Sequence, residues 1–254
     1  MSSTGTSTPT YRAPALEKGI DVLEYLAAAN APRTQAQIAR ELERQPSELF
    51  RTLTILERRG FLDRDPASGA YSLTLRLFEL GHAHSPFDVL LRVCDAPMRR
   101  LAADLGCSVH LSVLRGCDVL VLHQAESAAR VRVSVAVGST LPSVQSAAGR
   151  LLLAALDEQV LAALPGLPAD EEFRSRLTAV RASGFESARG EIMEGLTDLA
   201  VPLGGAELQT RASLTVTALT RDHHQFVHDA LAPLQECADQ ISRAAGLRPF
   251  TREI

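Results

Sequence analysis

Histidine and aspartate side chains cluster late in the chain, where they have the chemistry to bind a metal ion or to transfer protons. Asp222, His223, His224 and His228 lie within seven positions. His224 and His228 are four residues apart and would share one face of a helix. No third ligand follows at a matching spacing, and two histidines alone rarely form a tight zinc site. We interpret the cluster as a solvated, histidine-rich helix start, and we expect neither a metal ion nor a cofactor.

Motifs for covalent or cofactor chemistry are lacking in the sequence. Its four cysteines form no C-x-x-C pair, so neither a thiol redox motif nor a zinc ribbon is indicated. Neither a nucleophile elbow, nor a phosphate-binding loop, nor a dinucleotide fingerprint is present. A hydrolase or other enzyme that carries an accessory DNA-binding domain therefore remains only an alternative.

A second polar group surrounds Pro46 and has the chemistry to read DNA. It comprises Arg44, Gln45, Ser47, Glu48 and Arg51. Arginine binds phosphate or guanine, glutamine pairs with adenine, and serine binds either a phosphate or a base. Such residues read bases when they lie at the exposed start of a helix in the major groove. Arg64 would then contact the flanking DNA backbone.

These polar residues require a helix-turn-helix to position them. Apolar spacing predicts helices over 15–29, 34–43 and 46–60. Thr34 followed by Gln37 forms a capping box for the second helix, and Pro46 suits the first position of the third. On periodicity alone, a three-helix unit that only binds other proteins remains an alternative.

The segment after the third helix changes to a period typical of strands. Phe61–Arg64 and Ala70–Leu73 are predicted to pair across a turn, as the wing of a winged helix. A connecting helix follows, and we expect a domain boundary near His84. Beyond it, helices and strands alternate around an antiparallel sheet, which predicts an α+β domain. The helices are expected over 89–105, 147–155, 171–182 and 222–245, and the strands over 108–114, 119–123, 131–137, 199–203 and 212–219.

The charge distribution permits DNA binding without requiring it. The net charge is -4, but residues 11–83 carry ten basic and ten acidic side chains, whereas the remainder carries 16 and 20. Phosphate binding needs concentrated cations. A neutral domain gains affinity for DNA when it dimerises, since a dimer doubles the phosphate contacts.

The chain resembles the IclR family of transcription regulators over roughly residues 13–247. The resemblance rests on motifs that are weak individually but specific in their order and spacing. In the first half they are Ser47, Arg51, Leu53, Leu56-Glu57, Gly60, Arg64-Asp65 and Gly69–Leu73. In the second half they are Val109–Leu111, Glu126-Ser127, Val137-Gly138, Leu141-Pro142, Ser146–Arg150, Gly184-Phe185, Gly195 and Leu199–Pro202.

The resemblance implies three parts and a symmetric assembly. A winged helix-turn-helix is expected over 13–74, a linker helix over 75–85, and a GAF-like domain that binds an effector over 86–250. Related proteins assemble as dimers or as dimers of dimers. The expected DNA-binding residues are Thr34, Arg44, Gln45, Pro46, Ser47, Glu48, Arg51 and Arg64.

The resemblance also implies an effector pocket between the sheet and the loop from Gly138 to Gly149. The family's contact positions fall on Asp198, Thr215 and Thr217, and we add Leu122 and Ser146. This chain departs from the family in having Ala188 for an acid, Val144 for a histidine and Arg150 for a lysine. The alternatives are that the threonines simply favour strands and that Asp198 is a solvated strand edge.

Together these features predict a cytoplasmic transcription regulator, with no membrane segment, that binds double-stranded operator DNA. We expect a repressor of a catabolic operon whose effector is a small organic molecule. Because Asp198 replaces a neutral side chain, a neutral or amine-like effector is expected in preference to a simple dicarboxylate. Arg150 is the one cation near the expected loop, and it has the reach to face the pocket, the solvent or a partner subunit.

Overall fold

The computed structural model describes residues 13–29, 31–83, 87–204, 212–220 and 222–247. The chain divides into two compact units, Met1–Ser85 and Pro86–Ile254. The expected boundary residue His84 lies outside the described residues.

Three helices form the core of the first unit: α1 (Pro14–Ala28), α2 (Gln35–Glu41) and α3 (Pro46–Arg58). Thr34 caps α2 as predicted, because its hydroxyl accepts the backbone N–H of Gln37 and the Gln37 side chain accepts the backbone N–H of Thr34. Buried apolar residues from all three helices pack together in one cluster: Val22, Leu26, Ile38, Ala39, Leu49 and Leu53.

A small antiparallel sheet closes the first unit. Its strands are β1 (Arg33–Thr34), β2 (Leu62–Arg64) and β3 (Ala70–Leu73), in the order β1-β3-β2. The predicted hairpin of β2 and β3 is present, whereas β1 was not predicted because two residues show no period. The linker helix is α4 (Arg76–Ala83).

The second unit is built on a six-stranded antiparallel sheet in the order β6-β5-β4-β9-β8-β7. Its strands are β4 (Ser108–Arg115), β5 (Asp118–Ala125), β6 (Thr140–Pro142), β7 (Glu186–Arg189), β8 (Leu196–Leu203) and β9 (Ala212–Leu219). The helices are α5 (Asp88–Leu105), α6 (Ala147–Ala154), α7 (Glu158–Ala163), α8 (Glu171–Ser183) and α9 (His223–Ala244). The predicted α+β class is confirmed in both units.

The two faces of the large sheet differ in chemistry because side chains alternate along a strand. One face is apolar and packs against α5 and α9 through residues such as Val109, Leu199 and Leu214. The other face packs against α6, with α8 against α6, and it contains Ala200 and Ala188. It also carries the buried polar residues of the central strands: His110, Ser112, Asp198, Ser213, Thr215 and Thr217.

The strand predicted over 131–137 is wrong. Its alternation is real, since Val133 and Val135 are half-buried between exposed neighbours. The backbone groups, however, are bound by side chains: the Ser108 hydroxyl donates to the Val133 carbonyl and the Gln124 side chain accepts the Val135 N–H. Side-chain partners replace a strand ladder, so this segment is irregular. The short elements β6, β7 and α7 were not predicted.

Candidate DNA-binding and effector sites

Helix α3 has one buried face and one exposed face. Leu49 and Leu53 are fully buried against α1 and α2. On the opposite side Gln45, Ser47 and Arg51 are exposed. The turn before α3 is tight, with Glu43 in the left-handed region at φ 52°. A tight turn followed by an exposed polar helix start is the arrangement by which a helix-turn-helix presents side chains to the major groove.

The start of α3 and the turn before it are fixed to α1 by polar contacts. Lys18 donates to a Glu48 oxygen at 2.8 Å, and the other Glu48 oxygen accepts the Gln45 N–H at 3.3 Å. The Lys18 hydrogen bond, followed by the Gln45 hydrogen bond, lowers the pKa of Glu48 below its usual range. Arg44 pairs with Asp21 at 2.8 Å. Two of the expected DNA-binding side chains, Glu48 and Arg44, therefore have partners within the protein.

The remaining expected DNA-binding residues occupy three places. Pro46 is exposed at the first turn of α3. Thr34 is half-buried and its hydroxyl caps α2. Arg64 is exposed on the wing, with its guanidinium 5.6 Å from the centroid of the Tyr71 ring. The structure thus brings Gln45, Pro46, Ser47 and Arg51 together on one exposed surface.

Two exposed residues on α3 were missed by the sequence reading. Thr54 and Arg58 follow Ser47 and Arg51 at helical spacing, and both are exposed. Side chains at this spacing lie on one face of a helix. The spacing itself was visible in the sequence, because buried Leu49 and Leu53 already define the opposite face.

A buried carboxylate lies on the polar face of the large sheet. Asp198 on β8 is directly opposite Thr217 on β9, and the Thr217 hydroxyl donates to it at 2.6 Å. Asp198 is only 7% exposed. Burial raises the pKa of its carboxyl, and the Thr217 hydrogen bond partly offsets this. The alternative of a solvated strand edge is therefore wrong for Asp198, because β8 is an inner strand.

Two further buried polar groups lie on the same face. Thr215 is directly opposite His110 on β4, and its hydroxyl is buried without a hydrogen-bond partner among the described residues. His110 is 3% exposed, and burial lowers the pKa of its imidazole to about 4. Leaving a buried hydroxyl such as that of Thr215 unpaired costs about 1 to 3 kcal/mol.

Arg150 is enclosed in a network of charged groups beside the polar face. Its guanidinium is 1% exposed and donates to Glu186 at 2.7 Å, to both oxygens of Glu191, and to the Val144 carbonyl at 2.8 Å. Arg176 joins the same two carboxylates. Glu186 on β7 supplies the acid that fixes Arg150 in this position, so Arg150 neither faces solvent nor offers an unpaired charge.

The other two expected effector residues have different surroundings. Ser146 is buried and caps α6, since its hydroxyl accepts the Gly149 N–H at 3.1 Å and donates to the Pro142 carbonyl. Leu122 packs against the apolar cluster of α5 and α9. It therefore lies on the opposite face from Thr215, and the pairing shift in β4 between Leu111 and Ser112 accounts for its altered position. We leave Leu122 out of the site.

The late histidine cluster forms the start of α9. Asp222 caps the helix by accepting the Gln225 N–H, and His224 and His228 are exposed. His223 contacts Ser187 and Thr197. Across the described ranges, no group of three potential metal ligands comes together.

A helix-turn-helix unit joined to a domain with a buried polar face defines a class of protein, the ligand-responsive transcription regulators. Residues 15–66 match the IclR helix-turn-helix domain, and residues 87–243 match the bacterial transcriptional regulator IclR C-terminal domain. The chain belongs to the IclR family of transcription regulators. Its first unit is the DNA-binding domain and its second is the effector-binding domain. Because this family consists of regulators, the chain is not an enzyme and the hydrolase alternative is set aside.

Several described proteins are similar to this chain over almost its whole length. A transcriptional repressor, AllR of Klebsiella pneumoniae, is 29% identical over 252 residues, covering 93% of this chain and 92% of its own. The structure of an IclR regulator from Alicyclobacillus acidocaldarius is 29% identical with a TM-score of 0.70, covering 93% and 100% of the two chains. An IclR homologue from Microbacterium hydrocarbonoxydans, complexed with 4-hydroxybenzoate, shares the fold at 24% identity and a TM-score of 0.77, covering 91% and 99%.

None of the helices in the described ranges is both long and apolar enough to cross a membrane.

Proposed function

We propose that this chain is a repressor whose affinity for a pseudo-palindromic operator is controlled by a small neutral or amine-like effector. The similarity to AllR, itself a repressor, supports the direction of regulation. The buried Asp198 carboxylate, held by Thr217 on the polar face of the sheet, is the observation that carries the effector assignment.

In this proposal, α3 enters the major groove and reads bases through its exposed start. Arg51 is exposed and has no hydrogen bond or ion pair in the described part of the chain, so it is available to guanine or phosphate. Gln45 and Ser47 flank it. Arg64 on the wing and Arg58 further along α3 supply phosphate contacts. Arg44 and Glu48 instead hold α3 in place through Asp21 and Lys18.

Self-association as a dimer, or as a dimer of dimers, is part of the proposal. A domain without net positive charge gains affinity when two copies bind two half-sites one helical turn apart. Exposed leucines in and just before α4 support an interface there. Leu75, just before α4, is 75% exposed, and Leu77 and Leu80 on α4 are 40% and 47% exposed. Contiguous exposed apolar surface commonly marks a protein interface.

The charges around the polar face favour an effector without a carboxylate. Asp198 accepts hydrogen bonds when ionised and repels another anion. Arg150 is the one buried arginine among the described residues, and its charge is already balanced by Glu186 and Glu191. A ligand carboxylate would therefore have no unpaired cation to bind. An amide, hydrazide, amine or phenol can instead donate to Asp198.

Calorimetry on the full chain tests the effector assignment. We expect 4-hydroxybenzamide to bind the wild type more tightly than 4-hydroxybenzoate, which has the same ring but a carboxylate. Asp198→Asn should weaken the amide and remove the discrimination against the acid. Thr197→Val is the matched control, because Thr197 is buried on the same strand but faces α9. Tight binding of 4-hydroxybenzoate to the wild type, unchanged by Asp198→Asn, would show that Asp198 does not set specificity.

A further inference from the structure

The polar face of the sheet holds two separate polar rows. In the first row, Asp198 and Thr217 are paired with each other at 2.6 Å. In the second row, His110 and Thr215 are directly opposite on adjacent strands. Directly opposite side chains of an antiparallel pair have Cβ atoms about 5 Å apart. Thr215 and Thr217 are two positions apart along β9, so the two rows are separated by about 7 Å.

The second row differs from the first because its two residues are not paired with each other and the Thr215 hydroxyl has no partner among the described residues. His110 is 3% exposed and Thr215 is 1% exposed. The Thr215 hydroxyl is buried and makes no hydrogen bond within the described residues. Buried polar groups in native proteins are nearly always hydrogen-bonded, so the Thr215 hydroxyl, directly opposite His110, requires an explanation. A bound polar group of a ligand provides one.

We propose that His110 is a specificity-determining residue and that, with Thr215, it forms a second polar subsite of the effector site. The effector is then an uncharged molecule with polar groups at both ends, one donating to Asp198 and the other bound between His110 and Thr215. This inference rests on the proposed function, since it places the effector on this face of the sheet.

The chemistry of the second subsite selects an uncharged group. A neutral imidazole offers one N–H donor and one nitrogen acceptor, and a threonine hydroxyl both donates and accepts. The His110 ring stays neutral near pH 7 because burial disfavours its charged form. A carboxylate would meet no cation in this row, whereas an amide or a hydroxyl group can satisfy both residues at once.

Thermal unfolding of the full chain tests the unpaired state without any ligand. Thr215→Val keeps the shape of the side chain and removes an unsatisfied hydroxyl, so the melting temperature should rise or stay unchanged. Thr217→Val, the matched control on the same strand and face, removes the donor to Asp198 and should lower it. A melting temperature lowered equally by both variants would show that Thr215 has a structural partner, and would overturn the proposal.

Calorimetry tests the subsite with two probes, 4-hydroxybenzamide, which is polar at both ends, and phenol, which is polar at one. We expect His110→Leu and Thr215→Val each to weaken 4-hydroxybenzamide about tenfold, the effect of one buried hydrogen bond. The affinity for phenol should change less than threefold in these variants. His110→Asn should bind 4-hydroxybenzamide more tightly than His110→Leu does, because asparagine also donates and accepts hydrogen bonds. His223→Leu, which alters a histidine near the other face, is the control.

Three outcomes contradict the inference: 4-hydroxybenzamide does not bind the wild type, the His110 and Thr215 variants bind it normally, or both probes weaken to the same extent. If Asp198→Asn abolishes amide binding while the His110 variants leave it unchanged, the effector site stands and the second subsite is wrong. If neither row affects binding, the proposed location of the effector is wrong as well.

Discussion

Single side chains in the two sites are held to very different degrees. Arg51 is exposed and unpaired among the described residues, whereas Arg150 is 1% exposed and saturated by two carboxylates. An exposed arginine can give its full hydrogen-bonding capacity to DNA. Arg150, with its charge balanced by two carboxylates, instead stabilises the protein beside the polar face of the sheet.

Replacing Arg51 by Ala should weaken operator binding by about 1 to 3 kcal/mol and relax the preference at one base position. The reason is the loss of a bidentate contact to guanine. Fluorescence anisotropy with single-base operator variants measures both effects. Arg115→Ala, which alters an exposed arginine at the end of β4 in the second unit, is the control and should have no effect. Unchanged affinity for Arg51→Ala would remove this residue from the interface.

Burial of His110 should make the effector-binding domain sensitive to acid. The folded protein has a His110 pKa of about 4 and the unfolded chain about 6.5, so the unfolded state takes up a proton first as the pH falls. The contribution of His110 to the free energy of unfolding is fully present above pH 6.5. Roughly 3 kcal/mol of it is lost progressively as the pH falls to about 4. The raised pKa of Asp198 changes stability with pH in the opposite direction. Asp198 is present in both proteins compared below, so its effect cancels.

Urea unfolding of the wild type and His110→Asn at pH 7 and at pH 4.5 measures the acid sensitivity. The stability of the variant should change less between the two pH values than that of the wild type. Equal changes in the two proteins would mean that His110 does not titrate abnormally.

Among the structural elements, α6 is positioned by an unusually close contact. A Cβ atom on Gly149 would lie 2.2 Å from the Ser143 carbonyl oxygen, so only glycine fits there. Ser146 caps the same helix. These contacts account for Ser146 and Gly149 in the Ser146–Arg150 motif.

Gly149→Ala should destabilise the effector-binding domain by more than about 2 kcal/mol, because backbone atoms must move to admit the methyl group. Gly81→Ala is the matched control. Gly81 is exposed in α4 with nothing near its Cβ position, so alanine should stabilise that helix by about 0.5 to 1 kcal/mol. Scanning calorimetry measures both, and a stable Gly149→Ala protein would contradict the contact described.

Regular elements were predictable from the sequence where backbone partners determine them, and unpredictable where side chains do. The spacing of Leu49 and Leu53 predicts α3, and the alternation in β9 predicts a strand that keeps its bounds. The alternation of Val133 and Val135 predicts a strand that does not form, because Ser108 and Gln124 bind its backbone.

Within the two sites, polar pairs between residues that are distant in sequence could not be predicted either. The resemblance indicated Thr215 and Thr217, but single positions could not reveal that Thr217 bonds to Asp198 or that Thr215 is opposite His110. The burial of Arg150 depends on Glu186, 36 residues away in sequence. Such partners become evident only when the strands are placed in register.

At the scale of the whole molecule, the two units divide the work of a regulator. The first carries the exposed start of α3 and the second carries the buried polar rows. Because residues 11–83 are electrically neutral, one DNA-binding domain has little excess positive charge with which to hold DNA. Affinity then depends on two or more copies binding together.

We expect sedimentation to show at least a dimer, and the dimer to require two half-sites. Leu75→Glu should weaken self-association, because it places a charge on an exposed apolar surface next to α4. Operator affinity should fall with it. Glu79→Gln is a control that alters a charge on the neighbouring helix without adding one. A monomer that binds a lone half-site tightly would contradict this expectation.

The most direct test of the account is the binding of the wild-type protein to DNA from its own upstream region and to unrelated DNA of equal length, over a range of salt concentrations. We predict a saturable site at least about 10³-fold tighter than the unrelated DNA, as for specific regulators. The logarithm of its affinity should fall linearly with the logarithm of salt concentration. Equal affinities for the two DNAs, or binding that salt does not weaken, would contradict the proposal that this upstream region contains the operator.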